Sequence, residues 1–193
     1  MNTTNAKCFT FNVDNSLFIT GQTGSGKSYL VHTLIDRLQS AQTPEELQFV
    51  LFDLKQVEFT ETDPHFLLDD VILDPEIGLS KLEDLARLSI ERLKTQTTKP
   101  QIFIYIEECD MAALDQKRFD NAVIKINKNA KKANIKLIYS TSRPAVSMIS
   151  IRLLQSFDLL LTGQLASSDD AKYLGVPYIK KMDQYSFLVS QYN

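Results

Sequence analysis

The stretch Gly21-Gln22-Thr23-Gly24-Ser25-Gly26-Lys27-Ser28 constrains the fold of this chain more than any other. It matches the pattern G-x-x-x-x-G-K-[ST], which needs a strand before it and a helix after it. Both flanks comply. Leu17–Thr20 is a short apolar run, and Lys27–Gln39 places Leu30, Leu34 and Leu38 at helical spacing. Three of the chain's six glycines fall inside the pattern. Such a loop folds its backbone N–H groups into a nest for phosphate oxygens and aims a helix N-terminus at the anion. Gly21, Gln22, Thr23, Gly24, Ser25, Gly26, Lys27, Ser28 and Tyr29 are therefore the candidate nucleotide contacts. Lys27 is expected to reach the β- and γ-phosphates, and the Ser28 hydroxyl to ligate Mg2+.

Strand and helix patterns alternate through the rest of the chain. Strands are expected at Gln48–Phe52, Gln101–Ile106, Ile135–Thr141, Phe157–Leu161 and Ser186–Ser190. Helices are expected at Leu79–Leu93, Asp115–Ala133 and Pro144–Gln155. The segment Glu61–Leu73 takes no assignment. Alternation of this kind predicts an α/β fold with a mainly parallel sheet and helices on both faces. With 193 residues, 44% apolar and 23% charged, the chain is expected to form a single domain over 1–193, neither disordered nor fibrous.

The Gln101–Ile106 strand runs into Glu107 and Glu108. In a parallel sheet, ligands sit beyond the carboxyl ends of the strands. Glu107 is the candidate for Mg2+ or its water, and Glu108 the candidate for orienting an attacking water. The Ile135–Thr141 strand ends in Thr141-Ser142-Arg143-Pro144. Ser142 or Thr141 at that tip is placed to bond a γ-phosphate or the water, and Arg143 to face a phosphate or a neighbouring subunit. Asp53 and Lys55 follow the Gln48–Phe52 strand at the same sheet edge, either as site residues or as a surface ion pair. His32 reads as structural, and no Ser-His-Asp set or metal-type cysteine spacing is present.

Lys+Arg 21 against Asp+Glu 24 leaves a net charge of −3, which excludes a uniformly basic nucleic-acid binder. The charge is uneven. Glu45 to Glu76 holds ten acids and one base, and Lys117 to Lys136 holds seven bases and one acid. Lys125, Lys128 and Lys132 recur on one helical face, a candidate contact for the backbone of double-stranded DNA. Two cysteines, Cys8 and Cys109, suggest a reducing compartment. Neither a signal peptide nor an apolar run long enough for a membrane segment is present, so a cytoplasmic location is expected.

Taken together, four blocks resemble the motor domain of the FtsK/SpoIIIE DNA translocases: Gly21–Ser28 after its strand, Thr43–Glu58, Ile104–Glu108 and Ala133–Pro144. The resemblance covers about residues 15–190. It implies a RecA-like P-loop NTPase core, ATP hydrolysis with Mg2+, and a homo-oligomeric ring or partner ATPase subunits around double-stranded DNA. It also implies that Lys27 and Ser28 serve phosphate and metal, that Glu107 replaces the family's Asp, and that Glu108 is its catalytic Glu. Ser142 stands where the family has Gln. The family's two arginine positions fall near Gln155-Ser156-Phe157 and Asp170-Ala171-Lys172, and hold no arginine here. The pattern is that of a diverged core expected to turn over slowly by itself. A secretion or conjugation coupling ATPase and a nucleotide-binding switch are the rival readings.

Overall fold

The computed structural model describes residues 15–54, 59, 62–108, 110–144 and 149–191, together with the backbone of 4–6. Cys8, Lys55, Cys109 and part of the Pro144–Gln155 stretch lie outside the described residues. Among the described residues, seven strands form one sheet. They are β1 (Thr4–Ala6), β2 (Leu17–Thr20), β3 (Leu47–Asp53), β4 (Gln101–Glu107), β5 (Ile135–Thr141), β6 (Leu159–Thr162) and β7 (Phe187–Ser190), in the order β1-β7-β6-β2-β5-β4-β3. From β6 through β3 every neighbouring pair is parallel, and β7 is antiparallel to both β6 and β1. The helices are α1 (Lys27–Ala41), α2 (Pro75–Thr95), α3 (Asp110–Leu114), α4 (Gln116–Ala133), α5 (Ile151–Leu154) and α6 (Ser168–Leu174).

Both sheet faces are covered, which is why the strands read as unbroken apolar runs. Along β4, Ile102, Ile104 and Ile106 face one core with α2 and α4, while Phe103 and Tyr105 face the other with α1. β3 divides the same way, with Val50 and Phe52 on the α2/α4 side and Leu47, Phe49 and Leu51 on the α1 side. Each of these side chains is almost wholly buried, and each contributes roughly 1.5–3 kcal/mol relative to exposure. Helix α4, polar in composition, still buries Phe119, Val123, Ile126 and Ala130 along one stripe.

Several boundaries differ from the sequence expectation. Helix α2 starts at Pro75, four residues before Leu79, because the Asp74 carboxylate accepts from the N–H groups of Glu76 and Ile77 at 2.9 Å. Gly78 in this first turn lets α2 lie close on the sheet: a Cβ there would sit 2.7 Å from Met111 Sδ and 3.3 Å from the Phe52 ring. Among the described residues, the helix expected over Pro144–Gln155 is present as α5. Pro144 and Ile149 are not helical. Ser150 caps α5 by accepting from the Leu153 N–H at 3.1 Å while its own hydroxyl donates to Asp120. The unassigned Glu61–Leu73 stretch contains a 3-10 turn at Pro64–Phe66 and two single bridges, Phe49–Leu67 and Phe52–Ile72. β1, α3 and α6 were not expected at all. Among the described residues, no helix is long and apolar enough to cross a membrane.

One buried cation ties three elements together. Arg92, at the end of α2, donates from Nη1 to the carbonyls of Pro100 at 2.8 Å and Ala133 at 3.1 Å, and its burial lowers its pKa. Those two carbonyls lie just before β4 and β5.

Candidate functional site

The glycine-rich loop leaves β2 at Thr20 and enters α1 at Lys27, as its flanks predicted. Gly26 caps the helix at φ 100°, a left-handed conformation that a side chain would strain. A Cβ there would also meet the Tyr185 ring at 2.5 Å. The Ser25 N–H donates to the Gln22 carbonyl at 3.1 Å and closes the turn. Lys27 is buried, and its ammonium donates to the Gly21 carbonyl at 2.7 Å and toward that of Gln22 at 3.4 Å. Its charge therefore lies inside the curl of the loop. Gln22, Thr23, Gly24 and Tyr29 are exposed, and Ser28 is half-buried.

Lys27, Ser28, Glu107, Glu108 and Ser142 line one cavity of about 270 Å3. The β4 and β5 tips thus meet the loop, as adjacent strands of a parallel sheet require. Glu107 ends β4 almost buried, in register with Asp53 of β3 and Ser140 of β5. Asp53 is only 2% exposed, so it is no surface ion-pair member. Glu108 adopts φ 55°, which turns it away from the strand direction. Its Oε1 accepts from the Ser142 backbone N–H at 2.8 Å, and its Oε2 accepts from the Thr141 hydroxyl at 3.1 Å. The β5 tip therefore clamps this carboxylate through both oxygens. Arg143 is exposed and does not line the cavity.

The opposite side of the loop is walled by segments that no motif announced. The Gln22 N–H donates to the Gln164 carbonyl at 2.6 Å, just beyond β6. The Tyr185 N–H donates to the Ser25 carbonyl at 3.2 Å, and the Gln184 amide to the Gly24 carbonyl at 3.2 Å. The Gln164 side chain fixes the intervening chain by donating to the Ile179 carbonyl at 3.1 Å and accepting from the Met182 N–H at 2.5 Å. Most of these contacts use main-chain groups, which leave no residue-type signature to find.

The basic stretch is less basic at the surface than its count suggested. Arg118 is held by Glu83 through two bonds, at 3.0 and 2.9 Å, and approaches Glu76 at 3.6 Å. Arg118 in turn keeps the Glu83 carboxyl below its ordinary range. Lys131 pairs with Asp158 at 3.5 Å, and Lys136 is buried in β5. Lys125, Lys128 and Lys132 are exposed along α4. Lys128 shares a surface hollow with Arg152. His32 stacks on Phe59 with centroids 5.0 Å apart, consistent with a structural role.

Residues 3–96 match the family model described as FtsK/SpoIIIE family. A DNA translocase FtsK of Leptospira interrogans is 28% identical over 185 residues, covering 82% of this chain. The chain spans 19% of that protein's length. Among solved structures, the cytoplasmic domain of the Thermomonospora curvata type VII secretion ATPase EccC superposes with a TM-score of 0.73 at 16% identity. It covers 95% of this chain and 24% of its own. The genome packaging NTPase B204 of Sulfolobus turreted icosahedral virus 2, solved with AMP, has a TM-score of 0.62 at 20% identity and matches along 94% of both chains. With the loop, the strand order and the two acids in place, the chain is similar at modest identity to FtsK/SpoIIIE proteins and carries the RecA-like fold of P-loop ATPases.

Proposed function

We propose that residues 1–193 act as one motor domain that binds Mg-ATP, hydrolyses it and couples hydrolysis to movement of double-stranded DNA. The observation that carries this reading is the single cavity shared by Lys27, Ser28, Glu107 and Glu108. Phosphoryl transfer needs little covalent help from a protein, only positioning and charge compensation. The loop amides and Lys27 cradle the β- and γ-phosphates. Glu108, held by Thr141 and Ser142, orients the water for in-line attack on the γ-phosphorus and takes up its proton, while the bond from the γ-phosphorus to the β–γ bridging oxygen breaks and ADP leaves.

The donor set suits Mg2+, a hard cation that favours oxygen ligands and keeps one or two carboxylates plus phosphate oxygens. The Ser28 hydroxyl and the Glu107 carboxylate open onto the same cavity and would hold it. When bound, the ion neutralises phosphate charge. Lys125, Lys128 and Lys132 contact the DNA backbone without reading its sequence, in a homo-oligomeric ring or beside partner ATPase subunits. The curated relatives are DNA translocases, and B204 is a genome packaging NTPase.

The test is steady-state ATP hydrolysis with and without double-stranded DNA over a salt series. Stimulation should fall with salt at a log–log slope of about −3 for three phosphate contacts, and flatten when all three lysines become Ala. Stimulation that ignores salt and the triple change overturns the DNA contact. One observation favours a second reading, a nucleotide-binding subunit with little turnover: no arginine lines the cavity among the described residues. An arginine at the transferring phosphoryl is worth about 10³–10⁵ in rate. Turnover that rises steeply with protein concentration and collapses in Arg143→Ala would place that arginine across a subunit interface and set the second reading aside.

A further inference from the structure

Tyr185 stands at φ 65°, a conformation bulky residues avoid, at the mouth of the phosphate loop. Its ring lies against Gly26 and 4.9 Å from the ring of Tyr29, with the two planes at 52°. Both rings nevertheless remain open to solvent, Tyr185 at 54% and Tyr29 at 63%. Two large aromatic faces are thus held side by side, Tyr185 at a strained position, without being used by either hydrophobic core. They line the same cavity as Lys27, Ser28 and the two acids.

The strand order says which end of a nucleotide they meet. Across the sheet the order runs β4, β5, β2, β6, β7, with the acids on β4, the clamp for Glu108 on β5 and the loop after β2. The phosphoryl group to be transferred must lie beside the acids. The nucleoside end then points the other way, toward β6 and β7, where Tyr185 sits. Aromatic rings bind nucleobases by stacking, with little regard to which base is present. We propose that Tyr185, with Tyr29, is the platform on which the base of a nucleoside triphosphate rests.

The inference rests on the reading that the loop holds a nucleotide, and the experiment separates the two. Titrations in Mg2+ compare ATP with inorganic tripolyphosphate, which has the phosphates and no base. Tyr185→Gly removes the ring and suits the left-handed backbone. It should weaken ATP by about five- to a hundred-fold while tripolyphosphate binding stays within about twofold. Tyr185→Phe should retain ATP affinity, and Tyr29→Ala should show a smaller base-dependent loss. Equal weakening of both ligands in Tyr185→Gly would make the ring a mere support of the loop and overturn the proposal. So would unchanged ATP affinity. A base-dependent loss in Tyr178→Ala instead would move the base into the neighbouring hollow of about 540 Å3, which Tyr178 and Gln164 line. Wild-type protein that binds neither ligand would defeat the nucleotide reading itself, a result distinct from a silent Tyr185→Gly in a chain that binds ATP.

Discussion

The two flanks of the phosphate loop are built from different materials. On the β4/β5 flank, side chains face the cavity, and Glu108 is held through both carboxylate oxygens by neighbours on the next strand. On the β6/β7 flank, the loop is stitched down mainly through main-chain groups of Gln22, Ser25, Gln164 and Tyr185. The first flank supplies charge, so substitutions there should change chemistry and leave the fold intact. The second supplies shape, so substitutions there should change local order first and chemistry afterwards.

The largest effect expected from this contrast is at Glu108. Glu108→Gln keeps the side-chain shape and removes its basicity, so turnover should fall by about 10²-fold or more while ATP still binds. Single-turnover hydrolysis measured beside a binding titration checks this. A larger loss in Glu107→Gln would exchange the two roles. Next is Lys27→Ala, which removes the loop's one ammonium and should raise the ATP Kd tenfold or more, about 1.4 kcal/mol. Calorimetric titration measures it, and unchanged affinity would empty the loop of its assigned role.

On the other flank, Gln164→Ala leaves the Met182 N–H and the Ile179 carbonyl without their partner. Local opening there should become easier by about 1 kcal/mol, read as faster hydrogen exchange at Met182. Turnover should fall less than in Glu108→Gln. A turnover loss as large as that of Glu108→Gln, without faster exchange, would mean that both flanks do chemistry. Smallest of all is Glu83→Gln, remote from both. Arg118 lowers the Glu83 pKa from 4.5 through hydrogen bonds and charge, so the pair contributes stability above the ordinary carboxylate range. That contribution fades as pH falls through the lowered value. Wild type and variant should therefore differ slightly in thermal midpoint near neutral pH and converge in acid. Both side chains face solvent, so salt should shrink the difference as well.

The sequence showed one flank and hid the other for physical reasons. A phosphate nest needs glycines and a lysine at fixed spacing, and a buried strand that ends in acids shows an abrupt change of polarity. Gly21–Ser28, Glu107 and Glu108 were visible on those grounds, and β2 to β6 with α1 and α4 followed from periodicity. Gln164, Gln184 and Tyr185 carry no such mark. Their contacts run through backbone atoms or a single amide, and they reach the loop only because β6 and β7 return beside β2. Tyr185 in particular reads as an ordinary turn residue before a strand until its φ of 65° and its neighbour Gly26 are seen together. Lys136 errs in the other direction. It was counted as surface charge, yet it is buried in β5 beside Phe103. The α5 helix came out short because Ser150 caps it, and a capping serine inside a helical pattern is easily passed over.

The guanidinium of Arg92 has a reach that its distance from the loop conceals. It grips the carbonyls that precede β4 and β5, and both strands are seven residues long. Seven residues beyond those two carbonyls, Glu107 and Ser140 stand in register across the two strands, about 20 Å away. Arg92 thus works as the zero mark of a ruler whose far end carries Glu107 on one edge and Ser140 on the other, with Glu108 and Thr141 one residue further on each. The clamp on Glu108 requires those two tips to be level to within a hydrogen bond's tolerance. A residue that never approaches the glycine-rich loop thereby sets whether the acid and its holder arrive at the same height.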